Sequence, residues 1–150
     1  MVLLHGLFGS GNNLGALARA LADTHSVYCP DLPNHGRSGW LEDASLATMA
    51  DCVAHWMLHQ GLPRSQFVGH SLGGKVAMQL ALARPDLVSA LVVADIAPVD
   101  YPAQHDAVFA ALEAVAAGQC TSRDAAAALM APHLQEQQVI QFLLSSLRRD

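Results

Sequence analysis

At 150 residues the chain is long enough for one domain, burying roughly 70% of its unfolded surface; its formal net charge is −5, with Lys and Arg scattered except for Arg148–Arg149. That distribution lacks the clustered basic footprint selected by phosphate backbones, so nucleic acid is not an expected partner. Hydrophobic residues make up 52% and charged residues 14%, yet no apolar run approaches the ~18 residues of a membrane span, and Met1-Val-Leu-Leu lacks the basic start of a signal peptide.

In chain order, 2–4 reads as a short strand that stops at His5-Gly6 and runs into the loop G-L-F-G-S-G-N-N. Leu14, Leu17, Ala18 and Leu21 then recur at helical spacing behind an asparagine cap. Residues 25–29 read as a second strand leading into P-D-L-P-N-H-G-R-S-G, a loop by its prolines and glycines. Ser45 caps a helix with Leu46, Met49, Val53 and Trp56 on one face, closed by Gly61-Leu62-Pro63. The third strand covers 66–69, the third helix 71–83 with Pro85 at its end, and a fourth apolar strand 87–94 stops at Asp95.

Continuously apolar strands interleaved with helices predict an α/β class, a parallel sheet flanked by helices on both faces. After Pro98 the pattern is helical only: 102–118, 121–131 with T-S-R-D as a helix start, and 135–147. The expected division is 1–97 as the α/β part and 98–150 as a helical segment.

Cys29, Cys52 and Cys120 are odd in number and far apart. They read as free thiols of a reducing compartment, hence a cytoplasmic address, and not as a disulfide framework or zinc site. His55 and His59 stand in i,i+4 relation but without a third ligand or H-E-x-x-H, so they read as a solvated face and no metal is expected.

The stretch S-Q-F-V-G-H-S-L-G-G-K at 65–75 sets Ser71 between Gly69 and Gly73, where a strand gives way to a helix. A serine hydroxyl is a poor nucleophile at neutral pH and needs an adjacent base oriented by a third group. A sharp strand-to-helix turn thrusts its hydroxyl out at the top of the sheet, and glycines two positions either side let strand and helix close around it. The alternative is a helix-capping serine in a glycine-rich turn. If Ser71 is a nucleophile, the backbone N–H of Leu72 is one expected donor to the oxyanion. The loop after the first strand supplies the other, Leu7 with Phe8 in reserve. Asp95 is the candidate acid, since it ends an apolar strand at the sheet edge where ligands of open α/β sheets bind; it also reads as a turn residue of D-I-A-P. Asp31 and Asp100 are the reserves, although N-H-G-R-S after Asp31 resembles a structural turn. Lys75 and Arg37 either meet an anionic substrate or are exposed surface charges.

Taken together, H-G-L-F-G-S, D-L-P-N-H-G-R-S, G-H-S-L-G-G-K and D-I-A-P-V-D-Y, in this order and spacing, resemble the α/β-hydrolase superfamily, and within it the YbfF-type bacterial esterases of acyl esters and thioesters. The resemblance implies that the strands are the third to sixth of an eight-stranded sheet and that residues from about 98 onward form a helical cap. It implies Ser71 as nucleophile and Asp95 as acid. In this superfamily the histidine follows the acid in the chain, and none of the eight present is the expected base: His5 and His70 belong to the motifs, His35 to a turn, His25 to a strand, and His105 and His133 to the cap. The expectation is therefore a piece lacking the first strands and the strands that carry the catalytic histidine, poorly soluble alone. The favoured function is a cofactor-free serine hydrolase of small acyl esters or thioesters. The alternatives are a carbon–carbon bond hydrolase, a cofactor-free haloperoxidase, or a catalytically incompetent chain acting as a binding module.

Overall fold

A computed structural model describes residues 1–102 and 105–147, so Arg148–Arg149 lie outside the described residues. The chain divides into two compact units, Met1–Pro98 and Val99–Asp150. In the first, β1 (Val2–Leu4), β2 (Ser65–His70) and β3 (Val88–Ala94) form a parallel sheet in the order β1-β2-β3. The register sets Val2 beside Phe67, Leu4 beside Gly69 and His70 beside Ala94, which aligns the ends of all three strands.

The strand expected over 25–29 shrinks to a single bridge between Val2 and Tyr28. Leu3 N–H donates to the Tyr28 carbonyl at 2.8 Å and Tyr28 N–H to the Met1 carbonyl at 3.0 Å. Pro30, with no N–H and a fixed φ, stops the pairing directly afterwards. The Tyr28 ring turns edge-on to Trp56, with centroids 5.9 Å apart. The sheet of the described residues therefore has three strands where four were expected.

One face of the sheet carries the core. Val2, Leu4 and Phe67 share it and pack with Met49, Val53 and Met57 of α2 (Leu46–His59) and Val76 and Leu80 of α3 (Leu72–Ala83). Ser45 starts α2 as expected, its Oγ accepting the Thr48 N–H at 3.2 Å. On the opposite face Leu3 is fully buried, but Val92 at the outer strand is 56% exposed. The alternating burial of β3 follows from this: Leu91 and Val93 turn toward the covered face, Ala90, Val92 and Ala94 toward the bare one.

The helix expected after the first loop opens as a 3-10 turn (Gly11–Leu14) and continues as α1 (Gly15–Leu21). Asn13 does not cap α1; its Oδ1 accepts the Ser10 N–H at 2.6 Å. No residue of α1 is buried, and Leu17 of its apolar stripe is 40% exposed.

The second unit contains α4 (Asp106–Ala117), α5 (Arg123–Met130) and α6 (Gln137–Ser146), packed in sequence through Ala111, Met130, Ile140 and Leu143. Within T-S-R-D the cap is Ser122, whose Oγ accepts the Ala125 N–H at 3.1 Å. Among the described residues no helix is long and apolar enough to cross a membrane.

Candidate active site

Ser71 stands between the end of β2 and the start of α3 with φ 49° and ψ −116°. That backbone lies outside the regions open to L-residues at no cost, and such a position costs on the order of 1–3 kcal/mol and persists only where its surroundings impose it. Here they do. A Cβ on Gly69 would stand 2.5 Å from the Gly73 carbonyl oxygen and the Gly74 Cα, and one on Gly73 would collide with the Leu4 carbonyl oxygen. Strand, turn and helix are thus packed backbone to backbone. Ser71 N–H donates to the Ala94 carbonyl at 2.9 Å, which ties the turn to the end of β3. Ser71 occupies the cap position of α3, but its side chain makes no capping hydrogen bond.

Leu72, the first residue of α3, has a backbone N–H without an intrahelical acceptor, at the end of the helix where partial positive charge accumulates. Gly6 comes up against the same turn: a Cβ there would lie 2.9 Å from His70 Nδ1 and 3.4 Å from Ser71 Cβ. Residues 6–9 form a tight turn closed by Gly9 N–H to the Gly6 carbonyl at 3.0 Å, with Phe8 at φ 60°. Leu7 and Phe8 are therefore carried to the neighbourhood of Ser71 on a turn that begins where β1 ends.

His5 is 1% exposed. Its Nδ1 lies 2.9 Å from the Gly6 carbonyl, and its Nε2 accepts the Leu32 N–H at 3.0 Å. Burial holds the imidazole below its usual 6.5. Asp31 organises the next loop. Its carboxylate accepts the Gly11 N–H at 2.7 Å and the Arg37 N–H at 2.8 Å, and Gly36, at φ 54°, passes so close to it that any side chain there would collide. Burial pushes this carboxyl up, but the Arg37 and Gly11 N–H donors outweigh it and hold the group below its usual 3.8. Asp31 is thereby a structural residue of the turn that its sequence context resembles.

Asp95 directly follows β3 at φ 59°. Its side chain is 83% exposed, and one carboxylate oxygen lies 3.5 Å from His70 Nε2. The parallel register brings Asp95 and Ser71 to one edge of the sheet, as the sequence predicts, and turns His70 toward Asp95. Among the described residues no histidine hydrogen-bonds Ser71, and no group of three His, Cys, Asp or Glu could hold a metal ion. His55 Nδ1 is taken up by the Asp51 carbonyl at 2.8 Å. An apolar cavity of about 350 Å³, lined in part by Asp31, Pro33, Leu41, Cys52 and Trp56, includes neither Ser71 nor Asp95 in its lining. Two links escaped sequence reasoning, His5 to Leu32 and His70 to Asp95. For the first a signal existed: a polar side chain closing a fully apolar strand is buried only with partners.

Esterase YbfF of Escherichia coli K12 is 44% identical over 147 residues, covering 97% of this chain and 58% of that protein. The mouse sn-1-specific diacylglycerol lipase ABHD11 is 41% identical, covering 98% of this chain and 50% of its own length. Among solved structures, a marine microorganism esterase superposes with a TM-score of 0.94 at 35% identity, over 99% of this chain and 59% of that one. The chain thus spans half to three-fifths of the length of these relatives. The model of the alpha/beta hydrolase fold family matches residues 1–147, and the chain belongs to that family.

Proposed function

We propose that the protein containing this chain is a serine hydrolase of carboxylic esters, with acyl thioesters in its range, and that residues 98–150 are its cap. One observation carries the reading: a serine at a helix start whose hydroxyl caps nothing and whose backbone is forced to φ 49° by glycines packed against it. A serine kept merely for capping would use its side chain and would not need the strain. The relatives named esterase and diacylglycerol lipase support the same class of reaction.

In this mechanism Ser71 Oγ attacks the acyl carbonyl and gives its proton to a histidine, which passes it to the departing alcohol or thiol. The oxyanion of the tetrahedral intermediate rests on the N–H groups of Leu72 and Leu7, two donors present before the charge develops. Water, deprotonated by the same histidine, then releases the acid from Ser71. Asp95 orients the histidine and stabilises its charged form. None of the described histidines bonds Ser71, and the relatives are longer, so the base is assigned to a segment outside residues 1–150. No step requires a metal or cofactor.

The experiment is labelling and turnover with the longest open reading frame that contains this chain. A fluorophosphonate is expected to modify the wild-type protein at Ser71, and Ser71→Ala to lose both label and p-nitrophenyl ester hydrolysis. A variant that still labels would sink the assignment.

A further inference from the structure

We propose that His5 is the positioning residue of the oxyanion hole: its imidazole holds the Gly6–Leu7 peptide so that the Leu7 N–H faces the reacting carbonyl. This rests on the reading of Ser71 as nucleophile and Leu7 as donor.

The tautomer follows from the partners. The Leu32 N–H can only donate, so His5 Nε2, 3.0 Å away, is the acceptor and carries no proton. The proton therefore sits on Nδ1 and is donated to the Gly6 carbonyl at 2.9 Å. The same carbonyl accepts the Gly9 N–H at 3.0 Å. Both bonds act on one oxygen and fix the rotation of the peptide that joins Gly6 to Leu7.

No peptide bond in the described residues is cis. In a trans peptide the C=O and N–H point in opposite directions. With the Gly6 carbonyl aimed at His5, the Leu7 N–H is aimed away from the imidazole. The contacts of Gly6 show what lies beside this peptide: a Cβ there would stand 3.4 Å from Ser71 Cβ. The Leu32 bond then anchors the imidazole to a loop 27 positions away, so the ring cannot swing with the peptide it holds.

The arrangement requires a neutral ring. A proton on Nε2 would set donor against donor at Leu32, in a place 1% exposed where charge is costly. The titratable groups that face His5 are His35, with ring centroids 5.2 Å apart, and Asp31. A preset donor matters because removing one from an oxyanion hole costs about 10²–10³ in kcat.

The test compares His5→Phe, His5→Asn and His5→Gln in the longest open reading frame, with p-nitrophenyl butyrate as substrate and Ser71→Ala as control. His5→Phe is expected to lower kcat about 10²-fold with KM nearly unchanged, a split that simple destabilisation would not produce. The Asn amide nitrogen falls near the place of Nδ1 and can donate to Gly6. His5→Asn should therefore recover at least tenfold of the loss, and His5→Gln less. A folded His5→Phe with wild-type kcat overturns the proposal, as do equal kcat values for Asn and Gln. Should His5→Phe not fold, the ¹⁵N shifts of the wild-type imidazole near neutral pH decide. A proton on Nδ1 is expected, and one on Nε2 overturns it. The two readings fail separately: hydrolysis by Ser71→Ala would remove the nucleophile, whereas an inert Ser71→Ala with an active His5→Phe would remove only the role of His5.

Discussion

Asp31 and Asp95 each close an apolar run at the same edge of the sheet, and the fold treats them in opposite ways. The Asp31 carboxylate accepts a backbone N–H on each oxygen, from Gly11 and Arg37 at 2.7 and 2.8 Å, and pins two loops together. Asp95 is 83% exposed, sits on a left-handed backbone at φ 59°, and has His70 at 3.5 Å. Two such donors take up about half of the four or so lone-pair sites of a carboxylate and fix its orientation toward the loops. One held out at the strand end keeps its full capacity. The comparison teaches that an aspartate after an apolar run is not by itself an acid of a triad; where the neighbouring N–H groups point decides whether its carboxylate is held by the fold or left free of it.

Substitution at Asp95 should have the largest effect and would break the contrast most directly if it failed. In the longest reading frame Asp95→Asn is expected to lower kcat by on the order of 10⁴-fold while leaving the melting temperature unchanged. Normal turnover would return Asp95 to the status of a turn residue. Asp31→Ala should do the reverse. It strands two N–H donors and is expected to cost about 2–4 kcal/mol of stability by denaturant titration, with kcat per folded molecule retained. A lost kcat at unchanged stability would exchange the two roles.

Acid sharpens the contrast with a smaller effect. Burial holds the His5 imidazole below 6.5, so the unfolded chain binds more protons there and stability falls as pH drops below about 6.5. Asp31 is held below its usual 3.8 by its N–H donors, so its contribution is present above that value and lost as pH falls through the lowered one. A melting-temperature profile should therefore decline in two windows; Asp43 and Asp86, also held below 3.8, share the lower one, so Asp31→Ala should make it shallower. An unchanged lower window in that variant would show that the carboxylate does not stabilise the fold.

Legibility from sequence followed the range of the interactions. The β2-turn-α3 segment was readable because Gly69, Ser71 and Gly73 lie within five positions and the steric demand is local. The cap at Ser45 was readable for the same reason. The strand over 25–29 was not, because a strand exists only through its partners, and Tyr28 finds one bridge before Pro30 ends the pairing. The apolar stripe of α1 was visible at helical spacing, but spacing does not say what covers it, and Leu17 is 40% exposed. In the sequence His5 reads as part of the H-G-L-F-G-S loop; its partner at Leu32 lies in another loop, beyond the reach of any local pattern.

By itself the sequence determined the class of fold, the position of the serine turn and the helix starts at Ser45 and within T-S-R-D, since periodicity, glycine placement and capping are properties of a few neighbouring residues. Only the tertiary structure decided that Asp31 is consumed by its own loops, that Asp95 remains exposed beside His70, and that His5 bonds the peptide next to Leu7. Those outcomes depend on the parallel register that aligns the strand ends and on hydrogen bonds between loops far apart in the chain, which no local preference encodes.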